Sequence, residues 1–291
     1  MNTKKTFYKK LKENVPGQKI LGIHNIKINL EVFFEPLSLK GLKEMHEYST
    51  DERLYEFLEY DSFKTLEDTK NYIKKLQNRM AGDNFKKKSI YWFVRRKKDN
   101  LLIGTAALND INFERSSAEI GYGIAPNLWG NAYTLQIVEA LKHYCYEVLE
   151  LNRICGKTFI NNKKVINLIK SLNFKKEGTA REFYFKNSKF IDAYLYSMIR
   201  KDYFEINKVP NIKTKKNIKK NHIIKIVRSI LKKKEINEKS TMQNTSNWDS
   251  LNHVLIISQI IKKTRINILP RQVAEATSIK NIFKILEKNN F

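Results

Sequence analysis

Ala118-Glu119-Ile120-Gly121-Tyr122-Gly123-Ile124-Ala125-Pro126-Asn127-Leu128-Trp129-Gly130-Asn131-Ala132 is the stretch whose reading decides the fold. It predicts a short strand, a tight turn and the start of a helix. Pro126 ends the strand and Gly130 relieves the turn. Apolar residues then recur at Leu135, Val138, Leu141, Cys145 and Val148, the spacing of one buried helical stripe, so a helix is expected over residues 133–150. Such a turn aims backbone N–H groups at the mouth of a helix, where an anion can be held.

The 291 residues are 42% hydrophobic, enough for one large domain or two smaller ones. The formal charge of +25 predicts attraction to phosphates, nucleic acid or an anionic membrane. Lys, Asn and Ile are abundant throughout the chain, so a general compositional bias is the competing source of that charge. With only Cys145 and Cys155, a disulfide scaffold and a four-cysteine zinc site are both excluded, and a reducing, cytoplasmic location is expected. The basic N-terminus lacks the apolar core of a signal peptide, and no run approaches the length of a membrane span. The five His residues form no cluster with ligand spacing, which argues against metal catalysis.

Outward from the opening stretch, residues 30–34 predict a first strand, 36–48 a helical segment and 65–80 a second helix. Residues 90–94 and 101–107 predict a strand pair joined by a charged turn, and Gly104 signals close packing or a bulge. Downstream, residues 153–160 predict a strand and 163–172 a short helix. Asn173 stops that helix, because Asn tolerates the left-handed conformation that ends helices. Residues 180–185 and 191–199 predict a closing hairpin.

Four pieces in register resemble the GNAT N-acetyltransferase superfamily, most of all its RimJ/RimL-type branch. They are Leu102-Ile103-Gly104, Ala118 to Tyr122, the Pro126, Trp129, Gly130, Ala132 turn, and Asn162 followed by Asn173-Phe174-Lys175-Lys176-Glu177-Gly178. The resemblance implies an α/β GNAT fold, a mixed, mostly antiparallel sheet flanked by helices. It further implies an acyltransferase that uses acetyl-CoA or another acyl-CoA on a primary amine. The pantetheine arm is expected in a splay between residues 119–122 and 154–160, near the backbone of Ile124. Asn127, Leu128, Trp129, Gly130, Asn131 and Ala132 are expected to hold the pyrophosphate. Asn162 is the family's side-chain contact near the arm, and it also reads as the N-cap of the next helix. Glu119 is the candidate base, since a carboxylate beside a partly buried cleft can be tuned toward the working range; a salt-bridged strand carboxylate is the other reading. The Tyr that acts as acid in many relatives is replaced by Ile169.

Residues 206–220 turn to Lys, Asn and Pro, which predicts a basic linker. It lacks aromatics to stack on bases, so nucleic acid is a less favoured partner. Residues 221–291 predict a small helical bundle. Its apolar faces are Ile223, Ile224, Val227, Ile230 and Leu231; Leu251, Val254, Leu255, Ser258 and Ile261; and Ile279, Ile282, Phe283 and Leu286. Asp249-Ser250-Leu251 precedes the second of these, and the unit resembles an acyl carrier protein. That implies a 4'-phosphopantetheine on Ser250 and a phosphopantetheinyl transferase as partner, although Lys262, Lys263 and Arg265 make the following helix basic where carriers are usually acidic. His253 is expected at a solvated helix position.

The expected organisation is a lead-in at 1–17, an acyltransferase domain at 18–205, the linker, and the carrier-like domain at 221–291. Acceptors within the branch range from nucleotide-linked amino sugars to protein N-termini. Two other readings stay open. One is an acetyl-CoA enzyme whose bundle only docks; the other is a basic nucleic-acid-associated protein without catalysis.

Overall fold

The computed structural model describes residues 30–81, 88–206, 220–264, 266 and 268–290. The expected lead-in at 1–17 and all but the edges of the expected linker lie outside them. β1 (Val32–Pro36), α1 (Leu42–Ser49), α2 (Leu66–Ala81), β2 (Lys88–Arg96), β3 (Leu102–Asn112) and β4 (Ser117–Ile124) lead to α3 (Tyr133–His143), which continues into a π-helical turn at Tyr144–Val148. Then come β5 (Arg153–Phe159), α4 (Lys163–Ser171), β6 (Lys175–Lys186), β7 (Lys189–Ile199) and α5 (Arg200–Ile206). The remaining elements are α6 (Lys220–Leu231), α7 (Ser250–Thr264), α8 (Pro270–Glu275) and α9 (Ile279–Asn290).

The strands form one seven-stranded sheet in the order β1-β2-β3-β4-β5-β7-β6. Every neighbouring pair is antiparallel except β4 and β5. Alternation along β2 explains the two layers. Tyr91 and Phe93 pack with Met45, Ile73 and Leu76 of α1 and α2, whereas Trp92 and Val94 pack with the cluster around α3. Asn173 adopts φ 64, the left-handed stop expected of it. The β6–β7 turn places Asn187 and Ser188 at φ 51 and 58, as a two-residue hairpin turn requires. At Gly104 a Cβ would sit 2.1 Å from the Gly123 carbonyl oxygen, so the expected close packing is backbone against backbone.

The C-terminal helices add a third layer. One apolar cluster runs from the sheet through α3 to Trp248, Ile256, Ile257 and Ile282. This layer explains why α3 is buried even at Gln136, Glu139 and Lys142. Glu31, just before β1, latches the layers together: it accepts from Thr277 Oγ1 at 2.8 Å, Gln243 Nε2 at 3.1 Å and Gln136 Nε2 at 3.2 Å.

Two expectations for α7 need correction. The helix buries His253, Ile256, Ile257 and Ile260, while Leu255 is 46% exposed and Ser258 is exposed; the side chain of Leu251 lies outside those described. Apolar residues surround most of α7, so periodicity alone does not fix which side faces inward. His253 is fully buried rather than solvated. Trp248 Nε1–H donates to its Nδ1 at 3.2 Å, so Nε2–H must donate to the Val273 carbonyl at 2.7 Å, and only the neutral ring satisfies both. Burial pushes its pKa down to about 4. The unfolded chain, with a His value near 6.5, binds the proton more readily between these limits. Stability is therefore lost as pH falls from about 6.5 toward 4, by about 3 kcal/mol from this group. Urea midpoints followed by circular dichroism across this range are expected to show that slope, and His253→Gln is expected to flatten it.

Candidate active site

The β4–β5 ladder pairs Ser117 with Arg153, Ala118 with Ile154 and Glu119 with Cys155, then ends. Both strands continue, so a wedge opens between them, as expected for residues 119–122 and 154–160. On its other side β4 stays paired with β3 through Ile124, and Ala125 N–H donates to Ile103 O at 2.9 Å. Antiparallel alternation from that bond turns the main-chain groups of Tyr122 and Ile124 toward the wedge. In keeping with this, the Ile124 carbonyl accepts the Trp129 indole N–H at 2.9 Å, and the Ile120 carbonyl lies 3.9 Å from where a Gly156 Cβ would be.

The turn after β4 forms the mouth of the wedge. Pro126–Leu128 make a 3-10 turn, Gly130 has φ 87, and Ala132 caps α3 from a left-handed conformation with φ 59. Leu128 and Trp129 spend their N–H groups inside the turn, on Ala125 O and Pro126 O. The Asn131 amide braces it through Leu128 O at 3.0 Å, and the exposed Asn127 reaches outward. The first helical bond is Gln136 N–H to Ala132 O, and no side chain caps α3. Among the described residues the N–H groups from Gly130 to Leu135 are therefore left for a ligand, and the helix dipole makes that seat suit an anion. Lys164, in the first turn of α4, lies 5.5 Å from the centre of the Trp129 ring. Asn162 is the N-cap of α4: its Oδ1 accepts from Val165 N–H at 3.2 Å.

Two features escaped the sequence reading. Tyr122 on β4 and Tyr196 on β7, opposite Gly156, bury hydroxyls that have no partner among the described residues. Tyr196 is 2% exposed. Burial raises both pKa values, so both hydroxyls keep their protons and can donate them as hydrogen bonds. An extended chain with amide acceptors is the kind of ligand that fits such a wedge. Nothing in the linear sequence marked these tyrosines, because their isolation comes from strand pairing.

On the opposite face of the sheet, Glu119 shares its side with Gly121 and Gly123. Asn109 Nδ2 lies 3.2 Å from a Cβ built on Gly121, while Thr105 and Leu54 lie 3.7 and 3.9 Å from one on Gly123, so this face is a shallow floor. Glu119 does not stand alone in an apolar cleft. It is ion-paired with Lys157 of β5, a partner two residues beyond Cys155 that strand alternation alone could have suggested. The wall beside it is aromatic: Phe159 and Tyr184 stack at 4.0 Å, with Phe57 against Phe159 at 6.0 Å. Glu59 ties this wall to the preceding loop by accepting Phe185 N–H at 3.0 Å. Ile169 is a half-buried core residue of α4, so this position supplies no acid.

A mixed, mostly antiparallel seven-stranded sheet flanked by helices and opened between its two parallel neighbours is the GNAT fold. Residues 31–175 match the family model described as acetyltransferase (GNAT) domain, and the chain carries that domain. An uncharacterized N-acetyltransferase, p20 of Bacillus licheniformis, is 36% identical over 107 residues, covering 37% of this chain and 60% of that one. Spermidine N(1)-acetyltransferase of Vibrio cholerae is 27% identical over 169 residues, covering 57% and 91%. The crystal structure of spermidine N-acetyltransferase from Vibrio cholerae in complex with CoA and spermine shares the fold at a TM-score of 0.52 and 21% identity, covering 60% and 98%. No helix among the described residues is long and apolar enough to cross a membrane.

Proposed function

We propose that the chain is an N-acyltransferase that moves an acetyl or other acyl group from a pantetheine thioester to a primary amine. The observation that carries this reading is the β4–β5 wedge, which opens at the Glu119–Cys155 pair with an anion seat at one end. The Gly130 to Leu135 N–H groups would hold a phosphate of the donor. The arm would lie along Tyr122 and Ile124. The amine nitrogen attacks the thioester carbonyl, the C–S bond breaks, and the departing thiolate takes up a proton. Glu119 receives the proton that the amine loses, and main-chain N–H groups near Ile124 stabilise the oxyanion.

Residues 18–205 form the acyltransferase domain in this reading and residues 221–291 a carrier-like unit whose Ser250 bears the phosphopantetheine. Placement in the RimJ/RimL-type branch leaves several amines open as acceptor. The aromatic wall and the Glu59 carboxylate tied to it suit a cationic amine, in line with the spermidine-acetylating relative, while the overall basic charge favours a phosphate-bearing acceptor such as a nucleotide-linked amino sugar. A panel containing a polyamine, a nucleotide-linked amino sugar and a peptide N-terminus, each offered with acetyl-CoA and with carrier-bound acetyl, tests this directly. Mass spectrometry is expected to show one class gaining an acetyl group. Salt-sensitive RNA binding with no acylated amine would instead support the non-catalytic alternative.

A further inference from the structure

The start of α7 rests on the Gly130 turn. A Cβ built on Gly130 would meet the Asp249 Cβ at 3.7 Å. The Asp249 carboxylate accepts Asn252 N–H at 2.8 Å and so caps α7. Because Asp249 provides the cap, Ser250 is free of that role: it is half-buried, and its hydroxyl makes no hydrogen bond among the described residues. The chain thus sets an exposed carboxylate and an uncommitted serine beside its own anion seat. One strand away from the wedge, on β7 beside Gly156 of β5, the Tyr196 hydroxyl is buried with no partner among the described residues.

We infer that Asp249 and Ser250 select the donor: they disfavour the diphosphate of free CoA at the Gly130 turn and admit the single phosphate of an arm carried on Ser250 of the same chain. This rests on the reading of the wedge as the donor site. The phosphate of phosphopantetheine is the one that adjoins the pantetheine in CoA. Seating it at the same N–H groups therefore keeps the arm in the same register and brings the thiol to the same depth. The diphosphate of CoA carries more charge toward the Asp249 carboxylate than a phosphodiester does. In loading, Ser250 Oγ forms a bond to the pantetheine-proximal phosphorus of CoA, the phosphoanhydride breaks, and 3',5'-adenosine bisphosphate leaves. The serine proton passes to solvent, with CoA and a phosphopantetheinyl transferase as co-reactants.

Docking of this kind must be reversible, and the buried back of α3 suits that. Its Gln136, Glu139 and Lys142 are side chains that water also accepts, and a cleft of about 290 Å³ lies between Glu139 and Leu172 on one side and Val254 and Ile261 on the other. Tethering makes delivery intramolecular, with an effective concentration that needs no new contacts.

The test uses the full chain, produced with and without phosphopantetheinyl transferases of both the carrier-specific and the broad-specificity type. Intact-mass and peptide analysis is expected to place one phosphopantetheine on Ser250 and none on a folded Ser250→Ala variant. Calorimetric titration with CoA is expected to show at least about tenfold weaker binding to the loaded chain than to the unloaded one. Asp249→Asn is expected to tighten CoA binding to the unloaded chain by about three- to fivefold. Single-turnover transfer from the acylated chain should be independent of protein concentration. An unmodified Ser250 with both transferases, or equal CoA affinity before and after loading, overturns the inference. If Ser250→Ala and the wild type then acylate the same amine equally well from free acetyl-CoA, the acyltransferase reading stands without it. If no donor acylates any amine, both fall.

Discussion

Replacing Glu119 with Gln is expected to lower kcat by about 10²-fold or more, the range in which a positioned acid or base contributes, with a much smaller change in KM. Gln keeps the shape of the side chain and its place in the β4–β5 register, so the sheet should survive. The ion pair with Lys157 decides how the result is read. A base held by an ammonium must exchange that contact for the incoming amine. Lys157→Met should accordingly alter KM for the amine and the pH profile while leaving a catalytic carboxylate in place. Steady-state kinetics of both variants over pH 6–9 separate the roles. If Glu119→Gln keeps kcat within twofold of wild type, the carboxylate is a structural partner of Lys157 and another group or a water serves as base.

The second large effect is expected at a buried ion pair within α3, on the side of that helix that faces the C-terminal layer. Lys142 Nζ lies 2.6 Å from Glu139 Oε1, with the two side chains 1% and 2% exposed. Glu139→Ala leaves the buried ammonium, among the described residues, with only the Leu172 carbonyl at 3.5 Å, and a broken buried pair of this type costs about 3–5 kcal/mol. Undocking of the C-terminal helices would rehydrate Lys142, so the chain is expected to lose that layer before the sheet unfolds. Limited proteolysis should then cut within the C-terminal helices far faster than in wild type. The transition seen in thermal melts should move down by roughly 10 °C. Removing both charges, as Glu139→Leu with Lys142→Leu, should restore docking. Unchanged proteolysis of Glu139→Ala would show that the pair contributes nothing to holding the layers together.

Much of the fold is written in short-range signals. Strand alternation, the Pro126 and Gly130 turn and the left-handed stop at Asn173 are each local preferences, and each appears where the sequence put it. Element ends differ by a few residues where side-chain pattern does not control them. The π-helical turn after His143 interrupts what reads as one continuous helix, and the short α5 and α8 were not foreseen. The inward face of α7 was misread for a related reason: a helix covered on several sides carries apolar residues around its circumference, so its sequence no longer names one buried stripe.

For the site, the line divides elsewhere. Along the chain alone the residues pointed to a GNAT fold, to the turn from Asn127 to Ala132 as a candidate anion seat and to Glu119 as a candidate base, because backbone turns and strand faces depend on neighbours close in the chain. Packing between layers was needed to show that the Tyr122 and Tyr196 hydroxyls are buried with no partner among the described residues and that His253 is a neutral core residue, whereas the Glu119–Lys157 pair needed only strand alternation and the β4–β5 register. Packing between layers also brought Asp249 against Gly130, a contact across more than a hundred residues of chain. Such contacts follow from which faces pack together, and that choice is made by the summed burial of whole layers rather than by any local pattern of residues.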